Sequence, residues 1–154
     1  GTIHNSELAY AIASMGHTEL MIVCDAGFPI PRSAWRVDLA IVKDVPDLET
    51  VLSAIAGVFV AEKVGFAAEM AENNAPLMEK VKRLFPVSDL DPVPHAVILG
   101  EMAARAKVIV RTGAFERWGN ILLYSGVDAP LWFDKPGVKT PAAYQPIVDR
   151  MRGR

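Results

Sequence analysis

The stretch Leu20-Met21-Ile22-Val23-Cys24-Asp25-Ala26-Gly27 decides the fold. Five apolar residues in a row, closed by an aspartate and a glycine, have the length and composition of a buried strand. Asp25 then stands at the strand's C-terminal end, the edge at which open α/β sheets form ligand sites. On the other side of the run, Met15-Gly16-His17-Thr18-Glu19 leads in. Asn5 followed by Leu8, Ala11, Ile12 and Met15 predicts a capped helix, and Gly16 is expected to end it in the left-handed conformation. His17 then follows a helix C-terminus, whose carbonyl partial charges favour imidazolium and a proton-donating role.

Outward from this core, helices and strands alternate. Ala26-Gly27-Phe28-Pro29-Ile30-Pro31 reads as a stiff loop, because two prolines restrict its backbone. Arg36 to Val42 predicts a second strand, and Pro46-Asp47-Leu48 opens a helix with Leu48, Val51, Leu52 and Ile55 on one side. Val58 to Met70 predicts a third strand. Asn74 and Pro76 signal a helix running to about Phe85. Val87 to Pro94, rich in Asp and Pro, reads as a connection, and Glu101 to Ala106 as a short helix. Lys107 to Val110 and Asn120 to Tyr124 are the last strands. The pattern argues for an α/β fold: helices packed on a central mixed, largely parallel β-sheet, in a single domain. That domain spans residues 1–127. Residues 128–154 carry more Pro, Gly and isolated aromatics, with a short helix expected from Ala142 to Met151. They read as a C-terminal extension packing on the domain or on a neighbouring subunit.

Composition narrows the function classes. The 154 residues suit one core. A chain that is 51% apolar with a formal charge of only -2 is expected to bury surface between subunits, as a homo-oligomer. Without a Lys/Arg cluster there is no electrostatic footprint for nucleic acid. No apolar stretch is long enough to span a bilayer, and no charged-then-apolar leader pattern opens the chain, so no membrane partner and a cytoplasmic location are expected. The single cysteine, Cys24, lies inside the apolar run and reads as an inert thiol. His4, His17 and His95 lack metal-ligand spacing, so no metal site is expected.

Several blocks together carry a resemblance. They are Asn5-Ser6-Glu7-Leu8, Gly16-His17-Thr18-Glu19, Cys24-Asp25-Ala26-Gly27-Phe28-Pro29-Ile30-Pro31, Arg36-Val37-Asp38, and Arg111-Thr112-Gly113 leading into Trp118-Gly119-Asn120-Ile121-Leu122-Leu123. In this order they resemble the D-ribose pyranase and L-fucose mutarotase family, over residues 1 to about 127. The resemblance implies interconversion of ring forms or anomers of a free monosaccharide, no cofactor, and a ring-like oligomer with sites between subunits. It implies His17 as the proton donor and Asp25 as a sugar ligand. Val93-Pro94-His95 has the form of the ribose-type sugar-binding histidine. Its distance to Arg111 is one residue longer than the family's, which leaves Ala96 as the alternative occupant. The last block, normally Tyr-Ala-Asn or Tyr-Gly-Asn, is here Trp118-Gly119-Asn120. An indole N–H replaces a phenolic hydroxyl, which bears on sugar preference. The Asp25 to Pro31 and Arg36 to Asp38 blocks favour the ribose type.

The chemistry suits these residues. Opening a pyranose takes a proton to the ring oxygen and one from the anomeric hydroxyl; reclosure gives the furanose or the other anomer. General acid–base catalysis supplies on the order of 10²–10⁴-fold, and histidine titrates close to neutral pH. Asp25 offers charge-assisted hydrogen bonds, Asn120 both donates and accepts, and Trp118 can cover an apolar sugar face. The rival readings are structural: His17 as a helix cap, Asp25 as a loop cap, Trp118 as a core or interface aromatic, Arg111 as a partner for a strand-edge carboxylate, and Arg36 with Asp38 as a surface ion pair. At the level of function the rival is a non-catalytic monosaccharide-binding accessory protein of a transport system. A nucleotide-binding domain lacks its Gly-rich phosphate loop. The seven residues between His17 and Asp25, if extended, span roughly 20 Å. The two share a pocket only if the chain turns between them or if they come from different subunits.

Overall fold

The computed structural model describes residues 2–153. Six strands form one sheet: β1 (Leu20–Cys24), β2 (Arg36–Asp38), β3 (Ala61–Ala67), β4 (Asp89–Val93), β5 (Val108–Arg111) and β6 (Ile121–Ser125), in the order β2-β5-β1-β6-β3-β4. All pairings are parallel except the two made by β6, which runs against β1 and β3. The sheet is mixed and largely parallel, as expected from the alternation of elements.

β1 is buried along its whole length because helices cover both faces. Met21 and Val23 point into one core with Leu8 of α1 (Ser6–Ala13), Val51 and Ile55 of α2 (Leu48–Ala56), and Leu77 and Val81 of α4 (Ala75–Leu84). Leu20, Ile22 and Cys24 point into the other, with Phe28 and the helical segment 95–105. That segment comprises α5 (His95–Val97), a π-helical turn (Ile98–Met102) and α6 (Ala103–Arg105). The short α3 (Met70–Asn73) precedes α4. β3 and β6 approach closely at Gly65, where a Cβ would lie 2.6 Å from Leu122 Cδ1.

The caps follow the sequence signals. Asn5, Asp47 and Asn74 accept from Leu8, Thr50 and Leu77 at the starts of α1, α2 and α4. Several expectations are corrected. α1 stops at Ala13, and Gly16 is not left-handed; the reversal falls on Thr18, at φ 70°. The second strand is only Arg36–Asp38. The third ends at Ala67, leaving Met70 to a helix. The stretch expected as a connection, Val87 to Pro94, contains β4, an edge strand in parallel register with β3. Pro92 disguised it, since a missing N–H is tolerated on an edge. The helix expected from Glu101 begins at His95.

Residues beyond 128 form α7 (Ala129–Phe133), a 3-10 turn (Ala142–Tyr144) and α8 (Gln145–Arg152). Ala129, Ile147, Val148 and Met151 make a small core with Phe133, Tyr144 and the domain's Val60 and Val87. Trp132 is exposed in the single chain.

Candidate active site

The candidate residues fall at two opposite ends of the sheet. At the carboxyl end of the parallel strands, Asp25 leaves β1 and Asn120 enters β6. The two strands are antiparallel neighbours, Val23 facing Ile121, so the Asp25 amide donates to Asn120 Oδ1 at 3.0 Å. Asn120 is buried. The Gly27 amide donates to Asp25 Oδ1 at 3.0 Å, the loop cap expected of an aspartate before a turn. Burial pushes the Asp25 carboxyl above its ordinary range, against the lowering influence of the Gly27 amide, the nearby His95 and Asn120. Arg111 holds this loop through Ala26 O, with Nε and Nη2 both at 3.1 Å, and pairs with Asp38 at 3.1 Å. Asp38 also pairs with Arg36 at 3.2 Å, so all three charges are accounted for by structure.

His95 follows β4 and Pro94, its amide donating to Glu69 Oε1 at 3.1 Å. Its ring stands edge-on to Trp118, centroids 5.0 Å apart and planes at 88°. His95 therefore occupies this cluster, while Ala96 is exposed. His95 Nδ1 and Trp118 Nε1 are both buried without a hydrogen-bond partner among the described residues. An orphaned buried polar atom costs about 1–3 kcal/mol, and two side by side mark a place built for a polar ligand. Trp118 sits at φ 63°, a strained conformation for a bulky residue. Asn74 holds it there: its Nδ2 donates to Glu116 Oε1 and to Arg117 O, each at 2.8 Å, while its Oδ1 caps α4. Gly119 is required by close approach, since a Cβ would lie 2.8 Å from Glu116 O.

His17 lies at the other end. It does not cap α1, because Ser14 Oγ and Lys107 Nζ take the last carbonyls, those of Tyr10 and Ser14. The left-handed Thr18 turns the chain, its amide bonded to Ser125 O at 2.8 Å, and directs His17 toward β3. There Nε2 lies 3.0 Å from Glu62 Oε2 and within hydrogen-bond reach of the Tyr144 hydroxyl. Glu62 is the extra residue of a β-bulge, between Ala61 opposite Ser125 and Lys63 opposite Tyr124. Bulges re-aim side chains. A cavity of about 650 Å³ opens at this end, lined in part by Thr18, Glu62, Lys63, Tyr124, Tyr144 and Arg150. Among the described residues no group of three or more His, Cys, Asp or Glu side chains is placed to hold a metal.

One chain thus brings Asp25, His95, Trp118, Gly119 and Asn120 together and leaves His17 apart. β1 between them is straight, separating the ends by about 13 Å of extended backbone even before the flanking residues. The residues that sequence reasoning missed are Glu62, Glu69 and Tyr144. A bulge displays no signature in a polar pair such as Glu62-Lys63, and contacts across 45 and 127 positions leave no local pattern.

A family model, that of the RbsD / FucU transport protein family, matches residues 1–128. The chain belongs to this family. D-ribose pyranase 2 of Rubrobacter xylanophilus is 52% identical over 143 residues, covering 93% of this chain and 93% of that protein. D-ribose pyranase 1 of Streptomyces griseus is 50% identical over 142 residues, covering 92% and 94%. The structure of Bacillus subtilis RbsD complexed with D-ribose has the same fold, with a TM-score of 0.78 at 30% identity, covering 82% of this chain and 96% of that one. The RbsD / FucU span stops before α7. The two pyranases match well beyond it, whereas the Bacillus subtilis RbsD chain is nearly used up by four-fifths of this one.

Proposed function

We propose that the protein is an isomerase that interconverts the cyclic forms of a free monosaccharide such as D-ribose, pyranose to furanose, by general acid–base catalysis. Pyranases at half identity over nearly the whole chain support the activity, and the RbsD complex with D-ribose supports the sugar. The observation that carries the binding half is the pair of orphaned polar atoms, His95 Nδ1 and Trp118 Nε1, beside Asp25 and Asn120. A sugar hydroxyl both accepts and donates, so one polyol satisfies the indole N–H, the imidazole nitrogen and the carboxylate together. Gly119 lets the backbone approach.

His17 supplies the proton. It takes the proton of the anomeric hydroxyl and returns one to the ring oxygen as the C1–O5 bond of the pyranose breaks; reclosure through O4, whose proton leaves as O1 regains one, gives the furanose. Because a straight β1 separates His17 from Asp25, the complete site takes His17 from one subunit and the Asp25 cluster from a neighbour in a ring-like homo-oligomer. Such an enzyme works on free sugar in the cytoplasm.

Magnetisation-transfer NMR on a panel of free sugars tests this. Native protein is expected to accelerate D-ribose ring-form exchange and His17→Ala to abolish the acceleration. Binding of ribose without any acceleration by native protein rejects the enzyme and leaves a sugar-binding accessory protein of a transport system; the family is described as one of transport proteins.

A further inference from the structure

His17 Nε2 has two partners of opposite character. Glu62 Oε2, at 3.0 Å, is a carboxylate oxygen and accepts only. The Tyr144 hydroxyl, bonded to the same nitrogen, accepts or donates. One ring nitrogen carries either a hydrogen or a lone pair. With a hydrogen, Nε2 donates to Glu62, and Tyr144 shares that bond as a second acceptor. Without one, the Tyr144 O–H donates to it. Nε2 is therefore satisfied in either state, and no bond to Nδ1 is made among the described residues.

Each partner is placed by something other than His17. The β-bulge turns Glu62 toward it. Tyr144 is held by packing on Phe133, with ring centroids 5.8 Å apart, and by the small core of Ile147, Val148 and Met151. Burial, and the charge of Glu62, raise the Tyr144 hydroxyl above its ordinary range, so it keeps its proton at neutral pH. Tyr144 belongs to the extension, outside the family span of residues 1–128.

We propose that Tyr144, delivered by the C-terminal extension, is a positioning residue for His17: with Glu62 it clamps Nε2, fixes the ring, and leaves Nδ1 as the nitrogen that exchanges a proton with the sugar. This rests on the catalytic reading of His17. The neutral ring then carries its hydrogen on Nε2, toward the carboxylate, and a lone pair on Nδ1. Taking a proton from the anomeric hydroxyl makes Nδ1 a donor for the ring oxygen. The other charged groups lining the same cavity are Lys63, Asp89, Arg105 and Arg150; Lys63 lies over the Tyr124 ring, and Arg150 pairs with Asp89.

The test is ring-nitrogen NMR of ¹⁵N-histidine-labelled full-length protein without sugar, the His17 signals identified by their loss in His17→Asn, together with ribose exchange rates and their pH profile. In native protein the Nε2–H form is expected to dominate. Tyr144→Phe, which keeps the ring packing, is expected to shift the His17 nitrogens, move the acid limb of the pH profile and slow exchange about tenfold, as for loss of one hydrogen bond, at unchanged ribose affinity. Glu62→Gln is expected to redistribute the tautomers further and slow exchange more. Unmoved His17 nitrogens in Tyr144→Phe overturn the clamp, whatever the activity. Moved nitrogens with unchanged rate and pH profile overturn its role in positioning. A native protein inert toward ribose, with the nitrogens moved, instead overturns the catalytic reading of His17.

Discussion

The two ends of the sheet solve opposite problems. At the carboxyl end, Asp25, Asn120, His95 and Trp118 are partly or fully buried, pinned by backbone amides and by Asn74, and two of their polar atoms have no partner. At the other end His17 is exposed, its Nε2 is doubly partnered, and the neighbouring charges form ion pairs. The first end holds unsatisfied hydrogen-bonding capacity in a fixed geometry, which is what recognition of a polyol needs. The second holds a titratable group in contact with solvent, which is what proton exchange needs. Neither end alone holds both, and the strand that joins them is too stiff to fold one onto the other.

Mixing tests the comparison most severely. His17→Ala is expected to lose about 10²–10⁴-fold in ring-form exchange when assembled alone, and Asp25→Asn about 10–10²-fold at low ribose, as for loss of a charge-assisted contact. Co-assembled, they are expected to regain a substantial fraction, because some sites then join an intact His17 to an intact Asp25 from different chains. No recovery in mixed oligomers, verified by mass spectrometry to be mixed, means that a single chain supplies both.

Asp25→Asn separates function from stability at the buried end. Loss of a charge-assisted contact is expected to weaken ribose binding by about 1.5–3 kcal/mol, read by calorimetry. The folded carboxyl titrates above its unfolded value. Its contribution to stability is therefore fully present below the unfolded pKa and is lost as pH rises through the folded one. The variant lacks that loss, so between acid and neutral pH its Tm is expected to rise relative to that of the native protein. A parallel Tm profile for the two proteins contradicts the assignment.

Gly119→Ala probes how tightly the end that holds Asp25 is built. A Cβ 2.8 Å from Glu116 O cannot be accommodated without moving the Trp118 turn, so a loss of about 1–3 kcal/mol in denaturant unfolding is expected. The smallest effect belongs to the strand between the two ends. Burial pushes the Cys24 thiol up to about 12. Labelling by a thiol reagent at mildly alkaline pH is expected to be negligible in the native protein and rapid after unfolding, as read by mass spectrometry.

What the sequence disclosed follows a physical line. Capped helices and the buried run Leu20 to Cys24 were legible because their signals are local. β4 was hidden because an edge strand tolerates Pro92 and exposed acids. The Asp25, His95 and Trp118 cluster was legible through the family resemblance and through Asp25 standing at a strand terminus. The surroundings of His17 were not, since they depend on a bulge at Glu62 and on a tyrosine 127 positions away. Even the expected influence of the α1 terminus on His17 was displaced, because Lys107 had already taken its carbonyl.

β6 is the one strand that runs against its neighbours, so its first residue lies at the end that holds Asp25 and its last at the end that holds His17. Asn120 meets Asp25 at one end of it, and Ser125 meets Thr18 at the other. A single-residue deletion within Ile121–Ser125 flips every side chain beyond it to the opposite face. The damage falls on two distant places at once: repairing the Asn120 contact uncouples Ser125, and the reverse. Length is thus a stricter requirement here than side-chain identity, and chains of this architecture that vary in this strand are expected to do so by substitution, not by insertion or deletion.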